Sequence, residues 1–372
     1  MRLRITALWL ALALLLTGCG SLNITSAPAP TIVGSDGEGA AVLRDSMPNC
    51  TANPELAQQL RAAIEAQQDT TVQGWAAETI TACLDELLEA PELFWCTGYN
   101  LTAVTGLRTR ADITFHWLYD DGRARYDAMC AAADAVLADA PAGDYETALY
   151  LYDWLEDTVT YAASEGYDQT AYAAICEGRA VCGGIADAYT FLLRRAGLQA
   201  CTVTGTAAQD GRTESHAWNY AVLDGAVYGF DLTWDNSDRF DAAGREYRMH
   251  EWFAVTAADL AGTHTSDDAR GEISAVANAD NYYIREGYLL TDDSMDSVLS
   301  IWRPQAETGG NTLTFRCADD AVYQAVCFRL FELGEAAGLL RRLGLAGSDA
   351  FTVTYTMQDA LCTVTVYLSP AA

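Results

Sequence analysis

Residues 178–197 read Gly178-Arg-Ala-Val-Cys182-Gly183-Gly184-Ile185-Ala-Asp-Ala188-Tyr189-Thr-Phe-Leu192-Leu-Arg-Arg-Ala196-Gly197. Downstream of Cys182, residues Ile185, Ala188, Tyr189, Leu192 and Ala196 recur at helical spacing, and Gly197 is a natural terminator. The spacing therefore predicts that Cys182 stands at or just before a helix N-terminus. The helix dipole and the free N–H groups there favour a thiolate. Gly183 and Gly184 let backbone or substrate come close. The Cys182 N–H is a candidate oxyanion donor. A cysteine in isolation is more often a small buried hydrophobe, so the stretch that follows has to decide.

That stretch carries a base and an acid. Residues 201–204 read as a strand and 209–212 as a turn. His216-Ala-Trp218-Asn219-Tyr-Ala-Val-Leu223 reads as a second strand. Asp224-Gly225 is a strong two-residue hairpin turn, and 226–235 returns as a strand. A two-residue turn pairs Leu223 with Ala226, which sets Trp218 opposite Asp231 and His216 opposite Thr233. With period-2 alternation, residues 216, 218, 231 and 233 share one face. His216 and Asp231 are then diagonal neighbours, with Cα atoms on the order of 7 Å apart. A thiol, an imidazole and a carboxylate in that relation form a nucleophile, a base and its orienting acid. Asp235 is a rival orienter on the same face, but its place beyond the hairpin suits a loop or capping role better. Asn219 points to the opposite face and reads as structural. Trp218 and Trp234 either wall the cleft or pack in a core. Tyr172 is a candidate donor near the site. His264 has no partner identifiable from the sequence, and His116, within a strand, reads as structural.

The wording of these segments resembles the transglutaminase-like superfamily of papain-type cysteine enzymes. The stretches that carry the resemblance are TAYAAICEG (170–178), AVCGGIADAYTFLLRRAGL (180–198) and SHAWNYAVLDGAVYGFDLTWD (215–235). PELFW (91–95) and YLYDWLEDTVTY (150–161) resemble upstream elements of bacterial members. The resemblance implies an α+β fold in which a nucleophile helix packs on an antiparallel sheet. It implies Cys182 as nucleophile, His216 as base and Asp231 as the third member. The position after the cysteine is often acidic in that family, whereas here it is Gly183, which bears on the edge of a pocket. The implied chemistry is attack of Cys182 on a peptide or carboxamide carbonyl to give a thioester. Water resolves it in a peptidase or amidase, and an amine resolves it in a crosslinking transglutaminase. Hydrolysis is the favoured outcome. A surface binding module that keeps the fold without turnover is the reading from another class, and an intact triad argues against it.

Composition bounds the rest. The 372 residues carry a formal net charge of −29, and the basic residues are all arginine. Such a surface repels phosphate backbones, so nucleic acid is not an expected partner. With no lysine in the chain, crosslinking to itself through a lysine is excluded. Arg2 and Arg4 precede a short apolar run, 5–16, that is too short to span a bilayer and ends in Leu16-Thr17-Gly18-Cys19. That ending resembles a lipobox. It implies a signal peptide over 1–18, a lipidated Cys19 and a protein anchored on the extracytoplasmic face of the cell membrane. Gly, Ser, Ala and Pro enrich 19–48, which reads as a tether. There are 11 cysteines. Without Cys19 and a nucleophile the remainder is odd, so at least one more stays unpaired in a monomer. Cys176 and Cys201 are expected as buried free thiols. No cysteine or histidine spacing suggests zinc, and no cofactor is expected.

The remaining regions flank the chemistry. An N-terminal α+β region, 49–143, contains helices marked by Leu56, Leu60, Ala63, Ile64 and by Ile80, Leu84, Leu87, Leu88, the second halted by Pro91. A strand over 112–119 and a helix over 129–137 follow. The catalytic core is expected over 144–268. A C-terminal α+β region, 269–372, contains a strand over 312–317, one long helix over 321–343 and a hairpin formed by 351–355 and 362–367.

Overall fold

Helices form where apolar residues recur three and four apart. The computed structural model describes residues 53–104, 109–163, 167–209, 211–238, 248–266, 281–308, 312–345 and 351–370. The expected signal peptide, Cys19 and tether lie outside the described residues. In α1 (Pro54–Glu65), Leu56, Ala57, Leu60 and Ile64 are buried, and Pro54 sits in the first turn, where its missing N–H costs nothing. β1 (Thr70–Gln73) follows, then α2 (Ala77–Leu88), which buries Ile80, Cys83, Leu84 and Leu87. β2 (Cys96–Val104) and β3 (Arg110–Trp117) pair antiparallel, with β1 on the far side of β3. After α3 (Gly122–Leu137) and α4 (Asp144–Thr158), the short β4 (Thr160–Tyr161) pairs parallel with β5 (Arg179–Ala180). One continuous apolar core joins these elements to the helix and sheet that follow, from Leu56 to Ala254.

α5 (Cys182–Arg195) is the nucleophile helix expected from the sequence, and it begins at Cys182 itself. It lies against a four-stranded antiparallel sheet ordered β8-β7-β6-β9. The strands are β6 (Ala200–Gln209), β7 (Arg212–Leu223), β8 (Ala226–Phe230) and β9 (His264–Ser266). The Asp224-Gly225 turn pairs Leu223 with Ala226 and Asn219 with Phe230, the register expected of a two-residue loop. Asp224 and Gly225 both take positive φ, 51° and 84°, as that turn requires.

The two faces of this sheet differ. On one, Asn219 donates to Ala186 O at 2.7 Å and to Thr190 Oγ1 at 2.9 Å, fastening β7 to α5. Tyr228 and Phe230 are fully buried in the large core on that side, each such ring contributing about 2–3 kcal/mol relative to exposure. On the other face, Val203, Ala207, Trp218, Tyr220 and Val227 form a separate core with Trp234, Trp252 and Leu260.

The returning strand is shorter than the sequence pattern suggests. It ends at Phe230, and α6 (Leu232–Asp238) begins two residues later. The Asp231 carboxylate is the reason. Its Oδ1 accepts the Trp234 N–H at 3.1 Å, a helix N-cap bond that outweighs the alternation of the sequence. Thr233 is therefore helical and does not face His216 in the sheet. β8 covers β7 only from Asn219 onward, so the edge of β7 at 216–218 is free of it.

At the start of α7 (Ala257–Ala261), Thr256 and Asp259 form a reciprocal capping box. After β9 come α8 (Tyr282–Arg285), β10 (Leu289–Leu290), α9 (Met295–Glu307) and β11 (Thr312–Cys317). The expected long helix over 321–343 is broken. α10 (Asp320–Cys327) runs into a wider π-type turn over Phe328–Glu332, and Gly334 reverses the backbone at φ 72° before α11 (Glu335–Arg342). A glycine at positive φ ends a helix where side-chain spacing alone would let it continue. β12 (Phe351–Gln358) and β13 (Thr363–Pro370) form the expected hairpin, in a sheet ordered β10-β11-β13-β12 over its own core. This region docks through Arg316–Asp259, Arg285–Glu146 and Thr365 Oγ1–Glu251. Among the described residues, no helix is long and apolar enough to cross a membrane.

Candidate active site

Cys182 occupies the first position of α5, preceded by Val181 in extended conformation. The first N–H groups of a helix have no partner within it. Close packing against the preceding turn fixes this helix start. The Val181 N–H donates to Asp168 O at 3.0 Å, and a side chain at Gly184 would meet that same oxygen at 2.4 Å. A side chain at Gly183 would meet Gln169 Oε1 at 2.3 Å. The Gln169 side chain thus fills the space that a side chain at Gly183 would need.

His216 pairs with Gly205 across β6–β7 and is buried. Its Nε2 lies 2.7 Å from Asp231 Oδ2. Its other neighbour is the Cys182 thiol, through a hydrogen bond and through charge. The structure thus brings Cys182, His216 and Asp231 together, with the imidazole bonded to both thiol and carboxylate. Burial pushes the His216 pKa down, but the charge and hydrogen bond of Asp231, with those of Cys182, outweigh it and raise it to about 10. Burial acts to raise the Asp231 carboxyl. The two histidines beside it overcome that and hold it well below the usual carboxylate range. The pair is thus an imidazolium–carboxylate pair over the middle pH range, ready to support a thiolate.

Trp218 and Trp234 are both buried, with ring centroids 6.4 and 5.6 Å from that of His216. They are core and site wall at once. Asp235 does not take the loop or capping role expected of it. It is fully buried in α6, where Oδ2 accepts Tyr152 OH at 2.6 Å and the Trp252 N–H at 3.0 Å. Burial drives its pKa well above the ordinary value. The helix that Asp231 starts has turned Asp235 away from His216. Tyr172 lies in an aromatic cluster. Its ring stacks on Phe94 at 5.4 Å, with the Arg125 guanidinium 5.1 Å above it. Tyr161 on β4 lies in the field of Cys182, and its phenol is pushed up to about 12 by burial and then by Cys182, Glu214, Asp168 and Asp231. His116 bonds Asn100 at 2.8 Å at the surface. Cys201 is buried as expected, whereas Cys176 is exposed. No disulfide occurs among the described residues.

The residue most plainly missed is His264. It is buried, and its Nε2 lies 3.0 Å from Asp231 Oδ2. It reaches the site from β9, which pairs with β6 so that Ala207 faces His264. Gly205 was the available signal. A side chain there would strike the β9 backbone at 2.1 Å and the Trp218 ring at 2.9 Å, so only glycine admits both.

Two groups of three potential metal donors occur among the described residues: His216, Asp231 and His264, and Asp153, Glu156 and His250. In the first, hydrogen bonds already join both histidines to the carboxylate. In the second, Asp153 already bonds His250 at 2.7 Å and Arg248 at 3.0 Å. A cavity of about 130 Å³ lies away from the triad, bordered by Arg248, Glu251, Tyr282, Thr314 and Thr365.

Residues 132–234 match the model of the transglutaminase-like superfamily. This segment, which holds Cys182, His216 and Asp231, is what the chain has in common with that superfamily. No curated protein sequence matches the chain. Among solved structures it is similar to a TGase (15% identity, TM-score 0.27, covering 41% of this chain and 47% of that one). It is also similar to a protein described as a candidate cysteine protease from Cytophaga hutchinsonii (13% identity, TM-score 0.28, covering 58% and 72%). A third is a candidate protease from Parabacteroides distasonis (7% identity, TM-score 0.21, covering 37% and 39%). The chain thus spans less than half the length of the TGase it matches.

Proposed function

We propose that this protein is a cysteine acyl-transfer enzyme that cleaves peptide or carboxamide bonds through a Cys182 thioester, with water as the usual acceptor. The observation that carries this reading is the His216 ring held between the Cys182 thiol and Asp231 Oδ2. The thiol proton rests on His216, and the Cys182 thiolate Sγ forms a bond to the carbonyl carbon as the carbonyl π pair moves onto oxygen. The carbonyl oxygen gains charge, which the Cys182 N–H at the start of α5 offsets. As the tetrahedral adduct collapses, the C–N bond breaks and His216 returns its proton to the departing amine. His216 then deprotonates water, which attacks the thioester and releases the acid and the thiol. An amine in place of water gives transamidation by the same steps.

The test uses the purified full chain, a panel of peptides and carboxamides, and a small primary amine present or absent. Product masses should show the free acid in both cases and an amide adduct only as a minority product. A dominant adduct would make the enzyme a transglutaminase. Undiminished turnover by Cys182→Ala would overturn the reading altogether.

The location proposed for this activity is the outer face of the cell membrane, through a lipid on Cys19. The apolar run ending in Leu16-Thr17-Gly18-Cys19 supports it. Mass spectrometry of the N-terminal peptide should find a diacylated Cys19, and an unmodified N-terminus elsewhere would end the proposal.

A further inference from the structure

The Asp231 carboxylate serves two imidazoles. Oδ2 accepts His216 Nε2 at 2.7 Å and His264 Nε2 at 3.0 Å, while Oδ1 accepts the Trp234 N–H at 3.1 Å. His216 and the Trp234 N–H suffice to orient the carboxylate, so a second histidine is not needed for that. Nor is His264 there for convenience. Its side chain is 1% exposed, with the rings of Trp234, Trp218 and Trp252 centred 4.6, 4.9 and 5.4 Å away. A polar ring in such a place is costly unless bonded. Facing a carboxylate oxygen, its Nε2 must carry a hydrogen. Its Nδ1 lies 2.9 Å from Thr263 Oγ1, which also reaches Leu260 O at 3.4 Å. If His264 is neutral, Thr263 donates to Nδ1. If it is charged, Nδ1 donates to Thr263, whose hydrogen turns to Leu260 O. In both states an N–H points at Asp231.

The geometry points to His264 as a positioning residue that shares the Asp231 oxygen with His216 and thereby loosens that oxygen's hold on the His216 proton. This rests on the Cys182–His216–Asp231 reading above. A carboxylate oxygen whose charge is divided between two N–H donors binds each less strongly than it would bind one. His216 has to surrender its proton to a leaving amine, and a carboxylate devoted to it alone would hold that proton back. The titratable groups around the network are Cys182 from α5, His216 from β7, Asp231 itself, Asp235 from α6, Tyr152 from α4 and Tyr161 from β4, the last three each in the field of Asp231. The other rings around His264 are tryptophans. His264 can therefore be replaced without touching nucleophile, base or orienting acid.

The experiment follows alkylation of Cys182 by iodoacetamide across pH, peptide by peptide, in the full-length chain. It compares wild type, His264→Phe and His264→Gln. Phenylalanine keeps a ring among the tryptophans and removes the N–H; glutamine offers an N–H at similar reach. The alkaline limb, where His216 loses its proton, should move up by about one pH unit in His264→Phe, the low end of what a charged neighbour does to a pKa. It should return toward wild type in His264→Gln. Unmoved limbs in both variants, equal shifts in both, or a downward shift in His264→Phe would each overturn the inference. If the wild-type Cys182 shows no preference over other thiols, it is the proposed function that fails. Should His264→Phe lose its helical circular dichroism, the wild type gives the answer through its ¹⁵N-labelled histidines. The His264 Nε2 signal should move as His216 titrates, and a flat signal would rule the sharing out.

Discussion

The molecule holds two histidine–aspartate pairs at the same 2.7 Å separation, and they differ in almost everything else. His216–Asp231 lies between α5 and α6 with side chains 5% and 0% exposed. His250–Asp153 lies beside α4 with side chains 13% and 23% exposed. In the first, the Cys182 thiol adds to His216, and the His264 ring and the Trp234 N–H add to Asp231. In the second, Asp153 also pairs with Arg248, which reaches on to Asp157. An arginine on the same carboxylate supplies a permanent charge and leaves the imidazole one partner among several. A histidine–carboxylate contact is thus not a sign of catalysis by its length. The neighbouring thiol and the absence of a competing guanidinium make the first pair able to move a proton with purpose.

The contrast can be broken most severely at the group only one pair touches. Cys182→Ala should lower amide turnover to background, because the attacking atom is gone, and intact-mass spectra should lose any acyl adduct. Asp231→Asn comes next. It should cut turnover by about 10²–10⁴, in line with losing the acid of a triad, measured as kcat on any accepted amide. Activity within tenfold of wild type would mean that His216 does not depend on Asp231.

A smaller effect concerns stability against pH. The His216 pKa rises from 6.5 to about 10, so its contribution is complete below 6.5 and fades as pH climbs toward 10. Asp231 is depressed from 3.8, so its contribution is complete above 3.8 and fades as pH falls below that. The Tm gap between wild type and His216→Gln should therefore be widest between pH 4 and 6.5 and shrink toward pH 10. A gap that grows with alkalinity would contradict the sign of the His216 shift. The smallest effect is expected at the second pair. Asp153→Asn should change turnover by no more than about twofold and stability by about 0–1 kcal/mol, the range of partly exposed ion pairs. A loss comparable to that of Asp231→Asn would erase the distinction between the two pairs.

Sequence reading reached these elements unequally. Helical spacing after Cys182 placed it on the first residue of α5, and the Asp-Gly turn set the β7–β8 register, because both signals are local. Asp231 was found beside His216 by a path that the fold does not follow. The alternation of 226–235 reads as strand, but the carboxylate caps a helix, and strand and N-cap geometry both bring it to His216. That same helix separates Asp235 from the site. His264 was harder to read because it lies on a three-residue strand with no periodicity of its own, 33 residues from its partner, and Gly205 was the one local hint. The broken helix over 321–343 was hidden for a similar reason: apolar spacing persists through Gly334, and only its backbone sign shows the break.

The dual use of Asp231 has a consequence for how this segment tolerates change in length. One oxygen holds the first turn of α6 and the other holds His216. Adding or deleting a residue between 231 and 234 would turn the following helix by about 100° about its axis, since 3.6 residues make one turn. The Trp234 N–H could then no longer meet the carboxylate that aims the imidazole. This three-residue step is accordingly a fixed ruler within the chain, where a substitution can be absorbed but an insertion cannot.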